Sequence, residues 1–344
     1  MYRLQNTLYI MTQPSYLRLD NGTVRVEVEQ EKRLQVPLHH LGAIVCFGNV
    51  LVSPALMHAL AEAGKSLVLL DEHGRFKARL EGGVSGNVLL RLAQFLAASS
   101  PEKTLELARS CVAGKLRNGR TVILRAARES DFEAERLELQ RQADALAASL
   151  RAAAVAHDLD ELRGIEGEAA RVYFAALNLA VKPAQRERFR LDGRTRRPPR
   201  DRFNALLSFL YVLSMNDCRS ALETVGLDPQ IGFLHALRPG RAALALDLQE
   251  EFRSPLCDRL ALTLINRGQL SSDDFIERDG GSIFLTDKAR RTVVLAWQER
   301  KKEEITHPLL EQKMPLGLVP LVQARLLARA VRGEDERYLP WMAR

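Results

Sequence analysis

Cysteine is scarce in this chain of 344 residues, and its copies are scattered. The four cysteines stand at positions 46, 111, 218 and 257, with no C-x-x-C pair and no His-Cys cluster at zinc-finger spacing. A disulfide scaffold and a zinc ribbon are therefore excluded, because both need clustered cysteines. Scattered cysteines are typical of proteins from a reducing compartment, so we expect a cytoplasmic location.

Long apolar runs and nucleotide-binding loops are also missing. The longest apolar stretches, such as 205–213, fall well short of the ~20 residues of a membrane span, and the N-terminus lacks the apolar core of a signal peptide. We therefore expect no membrane partner. Neither G-x-G-x-x-G nor a Walker A motif occurs, which counts against a phosphodiesterase for small nucleotides.

The chain otherwise has the composition of an ordinary globular protein, with an excess of basic residues. Apolar residues make up 46% and charged residues 27%, which excludes disorder as the main state. Fifty Lys and Arg residues against 43 Asp and Glu give a net charge of +7. Such a balance is compatible with an anionic partner such as nucleic acid, but many basic proteins bind none.

The first 80 residues have the pattern of a small β-rich domain. Short β-favouring runs recur, and Asp20-Asn21-Gly22 between two of them indicates a hairpin. Ser53-Pro54 predicts the start of one short helix, which Gly64 ends. Further strands are predicted at 8–10, 16–19, 24–28, 43–47, 50–52 and 66–70.

A linker and a larger helical domain follow. The Gly- and Ser-rich composition of residues 81–87 predicts a flexible connection. Residues 88–344 then favour helices throughout, one of them ending at Gly114. The fold class is thus α+β, with a small N-terminal β-rich domain followed by a larger all-α catalytic domain. The helices are predicted at 91–98, 101–114, 130–156, around 162–176, 201–226, 241–253, 255–266, 287–303 and 316–332.

The basic excess is concentrated in one segment, Lys182–Arg202, which has nine basic and three acidic residues and a net charge of +6. Gly193, Pro198 and Pro199 indicate a loop rather than a continued helix. The segment is either a solvated surface loop or a surface that binds anions.

Three local patterns contain candidate catalytic side chains. Glu166 lies between Gly164 and Gly167 beside a helical apolar stripe, and two glycines in a helix, each ~1 kcal/mol less favourable than alanine, suggest that a backbone or ligand approaches closely. His235 ends the run G-F-L-H. Each residue also has an ordinary explanation: a glutamate in a surface ion pair, or a histidine packed in the core.

The third pattern is a pair of acids, Asp247 and Glu250, three residues apart on one face of a predicted helix. Leu246 flanks them, and burying a carboxylate there requires a cation or strong hydrogen bonds. The ordinary explanation is a surface acidic cluster near a helix start. Carboxylates and one imidazole on three separate elements suit Mg²⁺ or Mn²⁺. Beside a +6 segment, such a site suggests phosphodiester chemistry.

These motifs together resemble the CRISPR-associated endonuclease/integrase family, the larger of the two adaptation proteins that insert new spacers into a repeat array. The resemblance runs through most of the chain. It rests on Val36–Leu41, Phe47–Val50, Gly164–Phe174, Arg197–Pro199, Asn204–Phe209, Gly232–His235 and Leu246–Arg253.

The resemblance implies an N-terminal domain that forms a homodimer and a helical catalytic domain that binds Mg²⁺ or Mn²⁺. It assigns the catalytic metal ligands to Glu166, His235 and Glu250, with Asp247 supporting them from outside the coordination sphere. Gln249 departs from the family, in which methionine is frequent at this position.

The implied reaction is transesterification: the 3′-hydroxyl of a donor DNA attacks a phosphodiester of the CRISPR repeat. Cleavage of branched and single-stranded DNA is also implied, and a small adaptation partner is expected to bridge two dimers. We expect phosphate contacts from arginines near the acids and in the 182–202 segment. They are Arg194, Arg196, Arg197, Arg200, Arg238, Arg241 and Arg253. The alternative is a DNA-binding scaffold whose metal site is structural or degenerate.

Overall fold

The computed structural model describes residues 6–82, 87–191, 193–195 and 198–343. Its contacts divide the chain into two compact units, residues 1–85 and 86–344. The predicted linker at 81–87 falls mainly on residues 83–86, which lie outside the described residues. The last strand before them ends at Leu80, and the first helix after them begins at Val88.

Two four-stranded sheets and one α-helix account for most of the described part of the first unit. The elements are β1 (Asn6–Ile10), β2 (Ser15–Asp20), β3 (Thr23–Val28), β4 (Glu31–Pro37), β5 (Leu41–Phe47), β6 (Val50–Val52), α1 (Pro54–Glu62), β7 (Ser66–Leu70) and β8 (Phe76–Leu80). Strand order is β1-β5-β7-β8 in one sheet, parallel except for β8, and β4-β3-β2-β6 in the other.

Local sequence accounts for the turns of this unit. Asn21 and Gly22 both have positive φ, 47° and 73°, the conformation that a two-residue hairpin between β2 and β3 requires. The Ser53 hydroxyl accepts the Leu56 N–H at 3.3 Å and caps α1. Gly64, at φ 61°, follows the end of that helix. The hairpin, the helix and the six predicted strands are all found.

Two strands, β4 and β8, were absent from the predictions. Both lie at sheet edges, and most of their residues are exposed or half-buried. Edge strands of this kind carry charges that discourage pairing with other chains, so they lack the apolar alternation of a central strand. The sequence Glu31–Pro37, E-K-R-L-Q-V-P, shows this directly.

The second unit is mainly helical, which confirms the predicted fold class. Beyond that prediction, it contains two short antiparallel strand pairs, β9 (Phe275–Arg278) with β10 (Ser282–Leu285) and β11 (Glu304–Thr306) with β12 (Lys313–Pro315). No helix in the described ranges is both long and apolar enough to cross a membrane. The helices are α2 (Val88–Ser99), α3 (Pro101–Glu129), α4 (Glu133–Val155), α5 (Leu159–Leu179), α6 (Pro183–Arg186), α7 (Arg202–Val225), α8 (Ala243–Phe252), α9 (Arg259–Asn266), α10 (Asp287–Lys302) and α11 (Val319–Val331).

The prediction that a helix ends at Gly114 is wrong, because α3 continues to Glu129. Gly114 serves packing: a Cβ there would lie 2.8 Å from Cβ of Pro340 and 3.0 Å from Cγ of Glu251. Gly119 similarly faces the ring of Tyr173, with a Cβ-to-Cδ2 distance of 3.2 Å. Both glycines let neighbouring elements approach α3 closely, which outweighs their poor helix propensity.

The predicted helices at 241–253 and 255–266 form one continuous helical run. A six-residue π-helical stretch, Arg253–Asp258, joins α8 to α9 and accommodates Pro255, which has no N–H to donate. Such wide turns change the direction in which side chains point and are frequent at functional sites. Here the stretch begins at Arg253 and ends at Asp258, two residues that face the candidate active site described below.

The substitution Gly114→Ala tests whether close packing requires a glycine at this position of α3. We expect a loss of about 1–3 kcal/mol in the free energy of unfolding, because the added methyl group overlaps Pro340. Gly164→Ala in α5 is the matched control: its Cβ meets nothing within 4 Å, so it should stabilise the protein by about 1 kcal/mol. Urea unfolding measures both values, and an unchanged or higher midpoint for Gly114→Ala would contradict the packing role.

Candidate active site

Glu166 lies at the edge of the buried face of α5. The Asp158 carboxylate caps this helix by accepting the backbone N–H groups of residues 160 and 161 at 2.9 and 2.8 Å. Leu162 and Ala169 are fully buried, whereas the Glu166 side chain keeps 25% of its exposure. Its Oε1 accepts a hydrogen bond from Nζ of Lys115, which reaches across from α3.

The glycines on either side of Glu166 do not pack against other elements. A Cβ at Gly164 or Gly167 would have no described atom within 4 Å outside its own helix. The expectation that another backbone approaches here is therefore wrong. The surface around Glu166 is open, which leaves the carboxylate accessible from solvent.

His235 is held in place by Asp247 of α8. The buried carboxylate of Asp247 accepts the backbone N–H groups of Phe233, Leu234 and His235 at 2.6, 3.0 and 3.0 Å. Its Oδ1 also lies 2.6 Å from Nδ1 of His235. Because a carboxylate accepts, the ring proton belongs on Nδ1, and Nε2 is left as a potential ligand. Gly232 permits this contact, since a Cβ there would lie 2.7 Å from Oδ2 of Asp247.

Glu250 is almost completely buried and is surrounded by positive charge. Its Oε1 lies 2.6 Å from Nη1 of Arg253 and 3.8 Å from Nε2 of His235, and its Oε2 lies 3.0 Å from Nζ of Lys115. Burial alone would raise the pKa of Glu250. Arg253, Lys115 and His235 more than offset burial and hold the pKa at about 2, so the carboxylate is ionised at neutral pH.

The described residues contain no group of three or more His, Cys, Asp or Glu side chains already arranged to hold a metal ion. The ammonium of Lys115 instead lies between Glu166 and Glu250 and contacts both carboxylates. The space between the two carboxylates therefore accommodates a cation. Oε2 of Glu250 is buried and pairs with Nζ of Lys115 at 3.0 Å, without a well-aligned hydrogen bond to any of the described residues. Two carboxylates and an imidazole nitrogen fit the oxygen-rich donor set of Mg²⁺ or Mn²⁺.

Arg253 contacts two further residues besides Glu250. Its guanidinium donates to Oε1 of Gln249 at 3.2–3.3 Å and lies over the ring of Tyr211, 5.1 Å from the centroid. Gln249, the position that departs from the family, in turn donates to the Tyr211 carbonyl at 2.7 Å. The side chain of Arg253 is 12% exposed. A phosphate contact from Arg253 stays a prediction.

The other predicted DNA-binding arginines differ in their surroundings. Arg194 donates to Oδ1 of Asn204 and to Oγ of Ser208, at 2.7 and 3.1 Å, and so fixes the segment to α7. Arg200 and Arg238 are exposed, and Arg241 is half-buried. Contacts of all four with DNA stay predictions. Arg196 and Arg197 lie outside the described residues.

Lys115 was not identified from the sequence, and neither was the buried group next to it. The carboxylate of Asp258 accepts the phenol hydrogens of Tyr173 and Tyr211, both at 2.7 Å. These three residues, with Lys115 and Arg253, line a small cavity of about 30 Å³, room for one water molecule. Only the three-dimensional fold brings α3, α5, α7 and the π-helical stretch together here, so no local motif could indicate the cluster.

Asp258 titrates in an unusual range. Burial raises its pKa to about 6, although hydrogen bonds from Tyr211 and Tyr173 and the charges of Arg194 and Arg253 oppose the shift. The folded state therefore binds a proton that the unfolded state has released. The resulting stabilisation is present below pH ~4 and is lost as the pH rises through about 6.

Replacing Asp258 by Asn tests this linkage. Relative to Asp258→Asn, the unmodified protein should lose about 2 kcal/mol of unfolding free energy between pH 4.5 and 7.5, since Asn does not titrate. Denaturant unfolding at several pH values measures the difference. Asp160→Asn, at a carboxylate that is 94% exposed, is the control and should show no such trend. A constant difference between Asp258→Asn and the unmodified protein would contradict the raised pKa.

Comparison with known proteins identifies the family. The family model described as "CRISPR associated protein Cas1" matches residues 8–299. The CRISPR-associated endonuclease Cas1 1 of Moorella thermoacetica is 57% identical over 344 residues, which is 100% of both chains.

Solved structures share the fold. A casposase bound to its integration product superimposes with a TM-score of 0.84 at 20% identity, covering 99% of this chain and 95% of that one. A chain of a Cas6-RT-Cas1–Cas2 complex gives a TM-score of 0.84 at 24% identity, covering 99% of this chain and 36% of that one. The family model and the Moorella relative together show that the chain belongs to the Cas1 family of CRISPR-associated endonucleases.

Proposed function

We propose that this Cas1 family member is a metal-dependent integrase of CRISPR adaptation, which joins spacer DNA to a repeat and also cleaves branched and single-stranded DNA. One observation carries the proposal. Glu166 of α5 and Glu250 of α8 converge on a single cation, Nζ of Lys115, with the imidazole of His235 beside Glu250. The separate elements thus form one acidic site for a divalent cation.

Glu166 and Glu250 would hold Mg²⁺ or Mn²⁺ through carboxylate oxygens, and His235 through Nε2. When bound, the cation supplies Lewis acidity to the phosphoryl oxygen and stabilises the leaving oxygen. Asp247 does not ligate in this scheme. It fixes the tautomer and direction of His235 through the 2.6 Å contact to Nδ1, the usual role of a carboxylate behind a ligating histidine.

The reaction exchanges one phosphodiester for another. The 3′-oxygen of the donor strand bonds to phosphorus, the bond to the 3′-oxygen of the repeat strand breaks, and the proton of the attacking hydroxyl ends on the released one. Phosphodiester bonds are conserved, so neither a protein nucleophile nor an energy source is needed. The exposed Arg200 and Arg238 would position the DNA backbone without reading its sequence.

We also propose the assembly in which this chemistry takes place. The first unit would form a homodimer, and a small adaptation partner would bridge two dimers. Support for the partner comes from the Cas6-RT-Cas1–Cas2 complex, in which a chain of the same fold is assembled with Cas2. A cytoplasmic location stays a prediction from the sequence.

One observation favours the alternative function, a DNA-binding scaffold. Lys115 already pairs with both Glu166 and Glu250, and a permanently bound ammonium can take the place of a metal ion. A scaffold of this kind would bind DNA in a salt-dependent way, with no activity that responds to Mg²⁺ or Mn²⁺.

Substitution of the proposed ligands should abolish strand joining. Glu166→Gln or His235→Ala should reduce joining of a donor duplex to a supercoiled repeat plasmid at least 100-fold, because each removes a ligand at the reacting phosphate. Glu168→Gln is the matched control on the same helix: its carboxylate is 59% exposed and pairs with Arg171 on the surface. It should retain full activity.

The same assay separates the integrase from the scaffold. EDTA should stop joining by the unmodified protein while DNA binding, measured by fluorescence anisotropy, persists. Joining that continues in EDTA, or at an unchanged rate in both ligand variants, would reject the proposed metal-dependent integrase.

The substitution Lys115→Met should increase the extent to which a divalent cation stabilises the folded protein. Without metal we expect a loss of about 1–2 kcal/mol, since the variant leaves Glu166 without its ammonium partner while Glu250 keeps Arg253. A divalent cation would compete with Lys115 for the same oxygens. MnCl2 should therefore raise the melting temperature of Lys115→Met more than that of the unmodified protein.

Lys103→Met provides the control for this experiment, because Lys103 forms an exposed pair with Glu106 on the same helix. Its response to MnCl2 should equal that of the unmodified protein. Equal responses of Lys115→Met and the unmodified protein would show that Lys115 does not compete with metal.

A further inference from the structure

A basic site, separate from the candidate active site, lies at the C-terminal end of α5, beyond Glu166. The C-terminal residues of α5 border a cleft of about 270 Å³ between α3, α6 and α9. Five basic and three acidic residues line it, for a net charge of +2. The basic residues are Arg125, Lys182, Arg186, Arg259 and Arg267, and we refer to this site as the Arg259 cleft.

Arg259 is the half-buried basic residue of the cleft whose guanidinium has no hydrogen-bonded carboxylate among the described residues. Its side chain is half-buried, and its guanidinium makes no hydrogen bond or ion pair with any residue in the described ranges. Burial lowers its pKa, the positive charges of Arg300 and Arg125 lower it further, and the carboxylates of Glu129 and Glu303 offset these effects only in part. An additional anion would therefore stabilise this half-buried guanidinium.

The acids of the cleft do not provide this additional anion. Glu129 accepts from Nε of Arg125 at 2.7 Å, and Glu135 binds Arg186 through two contacts of 2.7 and 3.1 Å. Asp131 also lines the cleft but is exposed. Two glutamates are thus paired with other arginines, whereas Arg259 is not.

The cleft is also structurally fixed. Oδ1 of Asn266 accepts the Lys182 N–H at 2.9 Å, and Nδ2 of Asn266 donates to the Ala180 carbonyl at 3.0 Å. These bonds attach the chain after α5 to α9 and hold Lys182 at the rim. The side chains of Lys182 and Arg267 are exposed and make no hydrogen bond or ion pair within the described part of the chain.

The separation from the candidate active site can be estimated along α5. Thirteen residues separate Glu166 from Leu179, which lines the cleft, so the distance along the helix axis is about 20 Å. Successive phosphates of one B-DNA strand advance about 3.4 Å along the duplex axis. Arg259 itself follows Glu250 by nine residues on the helical run from α8 to α9, at most about 14 Å along the axis, so the phosphate that it contacts would lie a few base pairs from the proposed site of strand joining.

We propose that the Arg259 cleft binds a backbone phosphate of the DNA substrate a few base pairs from the reacting phosphodiester. The inference rests on the proposed function for the identity of the anion. Arg259 provides the charge-assisted contact, and Lys182 and Arg267 add long-range attraction. The contact fixes the distance between duplex and active site and carries no sequence information.

The test combines a protein substitution with a neutral phosphate in the DNA. Arg259→Gln should weaken binding of a 20-base-pair duplex about tenfold and reduce the salt dependence of binding by about one phosphate contact. A methylphosphonate placed at each phosphate in turn should weaken binding by the unmodified protein at one position, a few base pairs from the joining site. The same methylphosphonate should not weaken binding by Arg259→Gln any further, because that variant already lacks the contact that the modification removes.

Controls isolate the contact from general charge and from folding. Arg329→Gln removes an exposed arginine paired with Asp335 on α11 and should bind DNA like the unmodified protein. Arg259→Lys keeps the charge without the planar fork and should recover part of the affinity. Circular dichroism of both Arg259 variants shows whether they are folded.

Each remaining outcome decides the matter. Arg259→Gln binding with unchanged affinity and salt dependence would overturn the proposal. So would stabilisation by millimolar inorganic phosphate without any methylphosphonate effect, which would assign the cleft to a small anion. Loss of metal-dependent joining in the unmodified protein would instead reject the proposed function and leave the binding result intact, because binding is measured without metal.

Discussion

Burial of four carboxyl groups within twelve residues is the constraint on which the rest of the second unit depends. All four lie on the helical run from α8 to α9 and are at most 1% exposed. A buried carboxylate is strongly unfavourable without hydrogen bonds or cations, so each must be supplied with partners from elsewhere in the fold. The four are Asp247, Glu250, Glu251 and Asp258.

Those partners come from different parts of the chain, and each pairing positions one element. Asp247 holds the 232–235 loop by its backbone N–H groups, and Asp258 brings α5 and α7 together through two tyrosines. Glu251 accepts from Gln323 and from the Trp341 N–H, at 3.0 and 2.7 Å, and also from Tyr338. It thereby attaches the C-terminal segment to the back of α8. Of the four, Glu250 is the one that forms ion pairs with lysine and arginine side chains of the described residues.

Adjacent glutamates consequently differ in charge state. Burial raises the pKa of Glu251 to about 7, because its partners are neutral donors, whereas the cations around Glu250 hold that pKa at about 2. Glu250 thus presents a negative charge to the candidate active site on one side of α8. On the other side, the Glu251 carboxyl group holds the C-terminal segment against the helix. Opposite environments for neighbouring acids are how a fold assigns them separate roles.

Local patterns were predictable from the sequence, and contacts between distant segments were not. The hairpin at 20–22 was predictable because Asn-Gly favours the positive φ that its turn requires. Glu166, His235 and Glu250 were singled out because they stand in recognisable motifs, and their role as metal ligands stays a prediction. Gly114 was misread as a helix end because its reason, Pro340, lies 226 residues away. Lys115 belongs to no motif, and its role depends on carboxylates 51 and 135 residues further along the chain. Asp258 depends in the same way on α5 and α7.

Charge balance connects the proposed metal site to DNA. In the structure, Glu166 and Glu250 are matched by Lys115 and Arg253, so the four groups together are neutral. A divalent cation added to this set leaves two positive charges in surroundings of low dielectric, where an uncompensated charge is unfavourable. Phosphate oxygens of DNA provide the missing negative charge. Metal and DNA should therefore each increase the affinity for the other, and because coupling between two ligands is reciprocal, by the same factor.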